Sequence, residues 1–240
     1  MESNIKYLEN LCIYKDFRDD VINCIQSLHS TKKILDVGCG DGALITKLVN
    51  LGYECTGTEI IDEQVMSLKN SGLDVFNLSA TNMSIFKDKA FDCVILANVI
   101  HHVSQRTIAM SECFRVSKKY IIVLESFADT SIEFQNNSLK LDLELKALQD
   151  AAGIYHHPHY NTGEVLGACA SFFDKIESFK TIIMNNIEEL PKESVIEWVT
   201  ALKDTIGETN ANEIMLKYRK KNFCKFGLQI NMITLSCSKE

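Results

Sequence analysis

The sequence predicts an α/β protein built on a doubly wound, mostly parallel sheet, and three observations support this fold class. Short apolar segments alternate with amphipathic segments between residues 33 and 125, which is the rhythm of successive βαβ units. A glycine-rich turn directly follows the first apolar segment. The 240 residues are 46% hydrophobic and 24% charged, which is the composition of an ordinary globular protein.

The elements of the first half follow from the spacing of apolar residues. Phe17, Val21 and Ile25 recur at helical intervals, so residues 14–29 are predicted to form an amphipathic helix. The predicted strands that follow it are 33–37, 54–59, 74–78, 91–97 and 120–125. The predicted helices between these strands are 43–51, 62–70 and 104–117.

The alternation changes after Glu125. Leu141, Leu145 and Leu148 lie on one face of a predicted helix that ends near Gly153. A polar segment, 155–161, precedes a second predicted helix at 162–173. Two final strands are predicted at 176–184 and 228–237, as an antiparallel pair. The 43 residues between them, 185–227, are too many for a hairpin loop, so we expect a helical insertion there.

Composition and charge exclude several classes of protein. The first ten residues are polar and acidic, unlike a signal peptide, and the longest apolar runs fall far short of a membrane span. The nine cysteines contain no CxxC pair and are odd in number, so we expect reduced thiols in a cytoplasmic protein. A net charge of −7 disfavours a nucleic-acid partner. One basic run, 217–225, is interpreted as a solvated helix face.

The glycine-rich turn and an acidic residue beyond it describe a nucleoside site. In the segment ILDVGCGDG, glycines at 38, 40 and 42 let the backbone turn sharply and approach a ligand closely. Glu59 ends the next predicted strand, 19 positions after Gly40. An acidic side chain at that place can accept hydrogen bonds from both hydroxyls of a ribose.

Two nucleoside cofactors compete for this site. Gly38, Gly40 and Ala43 satisfy the dinucleotide pattern GxGxxA. However, Asp36 lies just before the turn, where a carboxylate would repel a pyrophosphate and attract a cation. S-adenosylmethionine carries an ammonium and a sulfonium and has no phosphate, so the charge of Asp36 favours it over NAD.

The segments ILDVGCGDGALITKLVNLGYECTGTEI and FDCVILANVIHHV resemble the class I, Rossmann-like S-adenosylmethionine-dependent methyltransferases, in particular their small-molecule group. The resemblance is specific over about residues 30–125 and topological beyond them. It implies a seven-stranded sheet with an antiparallel last strand. It also implies one methyltransferase domain over 1–240, with a helical cap (1–30), a cofactor-binding half (31–125) and an acceptor-pocket half (126–240).

The same resemblance assigns cofactor-binding positions. Asp36, Gly38 and Gly40, with Cys39 between the glycines, would line the methionine part of S-adenosylmethionine. Glu59 would bind the ribose. The expected adenine neighbours are Ile60, Ala80 and Thr81, and Asn98 would close the floor of the pocket. Many members have an aspartate where this chain has Ser79, so the side-chain contact with adenine is expected to differ.

Five of the six histidines fall into two groups. His101 and His102 follow the fourth strand, a position where the family commonly has histidine. His102 is interpreted as a packing or capping residue, and His101 as a contact for the acceptor. Glu125, after the fifth strand, is expected to meet a cationic acceptor.

The second group lies in the variable region that covers the cofactor in this family. His157 and His159 are predicted as catalytic, because imidazole is the natural base near neutral pH. His156 and Tyr160 are predicted to contact the acceptor. A polar loop and a metal site remain open readings of the cluster, and no metal is expected because metal-ligand spacing such as HxxxH is absent from the sequence.

The sequence therefore predicts methyl transfer from S-adenosylmethionine to O, N or S of a small molecule. Three alternatives remain open at this point. An RNA or protein methyltransferase has the basic run 217–225 as its support. A second alternative is another use of the cofactor, such as transfer or cyclisation of its aminocarboxypropyl chain. A third is a regulatory protein that binds the cofactor without turnover, since function resides in the site and not in the fold.

Overall fold

The computed structural model describes residues 17–155, 162–220 and 223–237 of the chain. The chain divides into two compact units. The sheet unit comprises 17–125, 161–181 and 231–240, and the helical unit comprises 1–16, 126–160 and 182–230. Each unit is described by itself below, and the single-domain description of the whole chain stays a prediction.

Seven strands form one mixed sheet in the order β3-β2-β1-β4-β5-β7-β6, with β7 antiparallel. Strand β1 pairs in parallel with β2 on one side and with β4 on the other, and β4 pairs in parallel with β5. This confirms the predicted doubly wound sheet with an antiparallel last strand. The strands are β1 (Lys33–Val37), β2 (Glu54–Glu59), β3 (Val75–Asn77), β4 (Phe91–Ala97), β5 (Ser117–Phe127), β6 (Phe173–Pro191) and β7 (Phe223–Cys237).

Helices connect the strands and fill the segment before β7. One short 3₁₀ turn, Ile100–His102, follows β4. The α-helices are α1 (Arg18–Ser27), α2 (Ala43–Asn50), α3 (Asp62–Asn70), α4 (Arg106–Val116), α5 (Glu133–Ala151), α6 (Thr162–Cys169), α7 (Lys192–Ala201), α8 (Lys203–Ile206) and α9 (Glu208–Arg219).

The bounds of β1, β2, β4 and α3 are those that the sequence predicts, whereas the last two strands are longer than predicted. Because β6 continues to Pro191 and β7 begins at Phe223, the helices of the expected insertion occupy 192–219 instead of 185–227. Strands pair through backbone hydrogen bonds, so a polar segment can form a strand even though its sequence shows no apolar alternation.

The core of the sheet unit lies along β1 and β4, which occupy the middle of the sheet. Ile34, Leu35, Val94 and Ile95 are fully buried. A central parallel strand is covered on both faces, and for that reason its sequence is a continuous apolar run without alternation. Ile45 of helix α2 is also fully buried, in a separate cluster with Leu68 and Val75. The central strands therefore provide a rigid base for the loops at their carboxyl ends.

The helical unit has its own apolar core. Leu141 and Leu145 of α5, which share the helix face predicted from the sequence, pack with Val199 of α7 and with Ile214 and Tyr218 of α9.

The interpretation of 217–225 as one solvated helix face is wrong. Helix α9 ends at Arg219 and strand β7 begins at Phe223, so Lys225 lies in the strand. A run of Lys and Arg residues does not indicate where a helix ends, because these side chains can be placed on a helix or on a strand. Lys217 itself forms an ion pair with Glu144.

Candidate functional site

The turn after β1 has the backbone conformation that its glycines permit. Gly38, Gly40 and Gly42 have φ values of +68°, +55° and +72°, in the left-handed region that disfavours other residues. A β-carbon at Gly38 would lie 2.8 Å from Cγ2 of Val99 in the loop after β4. The first glycine therefore allows the loops after β1 and β4 to touch at the carboxyl edge of the sheet.

Asp36 places a buried carboxyl group beside this turn. It lies in β1 and is 3% exposed. Burial raises its pKa to about 7, and the nearby carboxylates of Asp41 and Glu59 add to the increase. Within the described ranges, no donor forms a hydrogen bond with the Asp36 side chain. A cation bound next to Asp36 would stabilise its charged form, so the site suits a positively charged ligand.

Glu59, at the end of β2, ties the turn to the neighbouring strand. Its Oε2 accepts a hydrogen bond from the amide of Gly40 at 3.1 Å. Its Oε1 accepts hydrogen bonds from the amides of Ile60, at 2.7 Å, and Ile61, at 3.1 Å. A carboxylate has about four lone-pair sites, so one remains on Oε2 for an incoming hydroxyl. Binding two ribose hydroxyls, as the sequence predicts, would require Glu59 to release at least one of these amides.

The predicted adenine neighbours lie near the ends of β2 and β3. The amide of Leu78 donates to the carbonyl of Glu59 at 3.2 Å, which joins the loop after β3 to the end of β2. Ile60, the first residue after β2, has a large apolar side chain that is 67% exposed. In the loop after β3, Ala80 is buried, and the hydroxyls of Ser79 and Thr81 lie 2.8 Å apart.

Cys39 has its side chain in the core. It packs with Ile45, Val65, Leu68 and Val75, and burial raises the pKa of its thiol. Its amide donates to the carbonyl of Thr58 at 2.9 Å. The predicted contribution of Cys39 to cofactor binding would therefore come from its backbone and not from its sulfur.

On the other side of β1, Glu125 organises the loop after β4. Glu125 is 4% exposed and lies in β5. Its Oε1 accepts hydrogen bonds from the amides of Val99, at 3.1 Å, and Ile100, at 2.7 Å. Its Oε2 lies 2.7 Å from Nδ1 of His101. Asn98 precedes these amides with a left-handed φ of +57°, and its own amide donates to Leu124 at 2.9 Å.

The structure thus brings some of the predicted site residues together and leaves others untested. Sequence reasoning places His101 and Glu125 at the same edge of the sheet but does not predict that they bond to each other. The ring of His102 packs against that of His101, with centroids 4.1 Å apart. The predicted site residues His156, His157, His159 and Tyr160 lie outside the described residues, so their roles stay predictions.

A groove of about 400 Å³ borders the loop after β3, and sequence analysis missed it. Thr81 is the predicted site residue that contributes to its lining, with Asn82, Ile108 and Arg115 among the others. The guanidinium of Arg115 bonds to Glu112, Asp88 and two backbone carbonyls, and these carboxylates raise its pKa further. The lining thus contains a structural clamp, and Asp36, Glu59 and His101 are not part of it.

The described part of the chain lacks two features that would indicate other functions. It contains no cluster of three or more His, Cys, Asp or Glu side chains placed to hold a metal ion. None of its helices is long and apolar enough to cross a membrane.

Comparison with known proteins finds a sequence similarity in the segment that contains Asp36, Glu59 and His101. Residues 35–123 match the model of a methyltransferase domain. A ubiquinone biosynthesis O-methyltransferase of Rickettsia felis is 35% identical over 78 residues, which are 31% of this chain and 32% of that protein. The matched segment thus spans about a third of the length of this curated relative.

Solved structures agree over nearly the whole chain. The YcgJ protein of Bacillus subtilis has a TM-score of 0.65 at 15% identity, covering 93% of this chain and 98% of its own. An S-adenosylmethionine-dependent methyltransferase of Methanosarcina mazei has a TM-score of 0.60 at 17% identity, covering 92% and 98%. At these identities the likeness shows the fold. Together with the strand order and the antiparallel β7, this likeness shows that the chain has the class I, Rossmann-like methyltransferase fold, and residues 35–123 resemble a methyltransferase domain in sequence.

Proposed function

We propose that this protein transfers the methyl group of S-adenosylmethionine to an oxygen, nitrogen or sulfur atom of a small molecule. The observation that carries the proposal is the buried carboxyl of Asp36, placed next to a glycine turn in which a β-carbon on Gly40 would have no atom within 4 Å. Burying an ionisable group costs free energy unless a partner compensates it. A cationic nucleoside cofactor supplies that partner, whereas a dinucleotide would bring negative phosphates to the same place.

The residues present fit this cofactor along its length. Asp36 would face the positively charged end, with Gly38 and Gly40 allowing close approach of the backbone. Glu59 would accept a hydrogen bond from the ribose through the remaining site on Oε2. Ile60 would lie against the adenine and lose its exposed apolar surface. Bound in this way, the cofactor supplies a methyl group already activated by the sulfonium charge.

The protein's own contribution is then positioning, exclusion of water and, for acceptors that carry a proton, a base. The turn between β1 and α2 is fixed by the bonds from Cys39 to Thr58 and from Gly40 to Glu59, so it can orient the cofactor without further ordering. His157 and His159 are proposed near the acceptor, with His156 and Tyr160 as further contacts.

A hydroxyl is the acceptor group that we favour, because the curated relative of Rickettsia felis is an O-methyltransferase by name. The net charge of −7 supports a small molecule over a phosphate backbone.

The proposal is tested by calorimetric titration with S-adenosylmethionine, followed by mass spectrometry of an incubation with a small-molecule metabolite extract. S-adenosylhomocysteine together with a product heavier by one methylene supports methyl transfer. Methylthioadenosine would replace the proposal with aminocarboxypropyl chemistry, and binding without any product would favour a regulatory role. Absence of binding by the folded protein would refute the cofactor assignment itself.

A further inference from the structure

We propose that His101 is the base that takes the proton from a hydroxyl acceptor, and that Glu125 is the residue that positions it. This inference rests on the proposed methyl transfer and assigns one of its steps. His157 and His159 are the sequence-based candidates for the same step. His101 differs from them in having a defined partner, a defined environment and a defined place in the sheet.

His101 and Glu125 lie at the carboxyl edge of the sheet. Strand β1 lies between β2 and β4, so Glu59 and the pair His101–Glu125 stand on opposite sides of Asp36 along the carboxyl edge of the sheet. Ligands of open α/β sheets bind at this edge, where the connections diverge to opposite sides. If Glu59 holds the nucleoside end over β2, the reactive end extends toward β4 and β5. The acceptor's reacting atom would then approach from the side of His101.

The loop that carries His101 packs directly against the glycine turn. A β-carbon on Gly38 would lie only 2.8 and 3.1 Å from the two methyl groups of Val99. His101 is two residues further along the same loop. Glu125 fixes this loop by accepting the amides of Val99 and Ile100. The imidazole is therefore attached to the segment that touches the turn, and its position is set by three hydrogen bonds to one carboxylate.

The contact with Glu125 selects one tautomer of His101. An ionised carboxylate only accepts hydrogen bonds, so the 2.7 Å contact with Glu125 assigns the ring proton to Nδ1. Nε2 then carries the lone pair that a base requires. Free histidine prefers the opposite tautomer in water, and a buried carboxylate is the usual means by which proteins select this one. The side chains of His101 and Glu125 are 13% and 5% exposed, so water weakens their interaction little.

Methylation of a hydroxyl acceptor breaks one O–H bond and one S–CH₃ bond and forms one O–CH₃ bond. The O–H bond of the acceptor breaks and its proton passes to Nε2 of His101. The oxygen electron pair forms the new O–CH₃ bond, while the electrons of the broken S–CH₃ bond return to sulfur. The resulting imidazolium lies against Glu125, whose negative charge stabilises it. Release of the proton to solvent then restores His101.

Glu125→Gln separates this role from simple loop support. Its amide oxygen still accepts the amides of Val99 and Ile100, so the loop keeps its anchor. Its amide nitrogen is a donor and faces Nδ1, so the proton of His101 must move to Nε2. The variant therefore reverses the tautomer of the base while keeping the fold. His101→Gln removes the base itself, and His102→Gln is the matched control because its ring is a neighbour with no assigned chemistry.

The structural readout is nitrogen NMR of the protein labelled in histidine, without cofactor. We expect the Nδ1–H form for His101 in the natural protein and the Nε2–H form in Glu125→Gln. The kinetic readout is methylation of catechol as a probe hydroxyl acceptor. His101→Gln and Glu125→Gln are each expected to lower kcat by roughly 10²- to 10⁴-fold, the usual contribution of a general base. Their affinity for S-adenosylmethionine, measured by calorimetry, should stay within about twofold.

An Nε2–H tautomer in the natural protein would overturn the inference without any turnover measurement. It would also be overturned if Glu125→Gln reversed the tautomer but lowered kcat on catechol by less than about tenfold. Failure of the natural protein to bind S-adenosylmethionine is a different result, because it refutes the proposed function and leaves the tautomer measurement to decide the pairing alone.

Discussion

The carboxylate of Glu59 accepts a hydrogen bond of 3.1 Å from the amide of Gly40, 19 positions earlier in the chain. The bond joins the middle of the glycine turn to the end of β2. Because the other oxygen of Glu59 accepts the amides of Ile60 and Ile61, one side chain fixes both the turn and the start of the next loop. A residue expected to bind a ribose is thus also a structural anchor of the site.

Glu59→Gln is expected to weaken both binding and folding. The amide nitrogen of the variant must face a backbone N–H, since all three partners of Glu59 are donors. One buried donor is left without an acceptor, which typically costs about 1 to 3 kcal/mol. We expect the affinity for S-adenosylmethionine to fall at least tenfold in calorimetry, and the denaturant midpoint to decrease.

Glu54→Gln is the matched control for this prediction. Glu54 begins the strand that Glu59 ends, and it forms an exposed pair with Lys32 at 2.8 Å. Exposed ion pairs contribute little to stability, so neither binding nor the midpoint should change measurably. Equal effects of the two substitutions would contradict a specific role for Glu59.

Asp36 should make the stability of the unliganded protein depend on pH. Its pKa is raised from an ordinary 3.8 to about 7, so the folded state holds a proton that the unfolded state has released between these values. The free energy of unfolding should therefore fall as the pH rises from about 4 to about 7 and then level off. The full change corresponds to at most roughly 4 kcal/mol.

Asp36→Asn should remove this decrease, which chemical denaturation at pH 5 and pH 8 measures. The control is Asp92→Asn. Asp92 accepts the amides of Lys32 and Lys33, and these bonds together with the nearby lysines lower its pKa against the effect of burial. Asp92 is therefore ionised throughout this interval and should not alter the slope. A slope unchanged in Asp36→Asn would mean that Asp36 is charged in the folded protein at pH 5.

Gly38→Ala should disrupt the junction between the turn and the loop after β4. The variant combines a left-handed φ of +68° with a contact of 2.8 Å to Val99. Backbone strain costs about 1 to 2 kcal/mol, and overpacking adds about 1 to 3 kcal/mol. Gly52→Ala is the control, because Gly52 has a φ of +91° and no atom within 4 Å of a β-carbon.

The difference between these two alanine variants isolates the steric contribution. Adding Val99→Ala to Gly38→Ala should recover that contribution in a double-mutant cycle and leave the strain. If Gly38→Ala and Gly52→Ala lowered the denaturant midpoint equally, close packing of Val99 on the turn would not be a source of stability.

The sequence predicts the central part of this protein well, because local pattern and tertiary environment agree there. The continuous apolar run of β1 reports burial on both faces, and the glycines after it report positive φ values. The 19-position spacing of Gly40 and Glu59 predicts that both belong to one site, and the two residues are hydrogen-bonded to each other in the structure. Each of these patterns has one main physical cause and involves residues that are close in sequence.

Other features depend on pairings that a single sequence does not display. That Glu125 bonds to His101, 24 positions away, follows only from the register of β4 against β5. That Cys39 directs its sulfur into the core follows from the neighbouring helix and strand. Strands β6 and β7 extend beyond their predicted ends, and the mostly polar residues 185–189 of β6 carry no apolar pattern that indicates a strand.

Ile60→Ser should reduce binding of the cofactor with little effect on folding. The side chain is 67% exposed, so the folded protein gains little from its apolar surface. If adenine covers this surface in the complex, its removal costs about 1 kcal/mol or more of binding free energy, at roughly 25 cal/mol per Å² of buried apolar area. We expect about a fivefold to tenfold increase in the Kd of S-adenosylmethionine, measured by calorimetry.

Met66→Ser, on α3, is the control for this prediction. It changes a side chain that is 64% exposed and has no predicted contact, so the Kd of this variant should match that of the natural protein. Free methionine lacks the adenine, so its ability to compete with S-adenosylmethionine for the site should depend little on Ile60. We therefore expect the same affinity for methionine in Ile60→Ser and in the natural protein. A loss of methionine binding in Ile60→Ser would mean that Ile60 lies at the methionine end of the ligand.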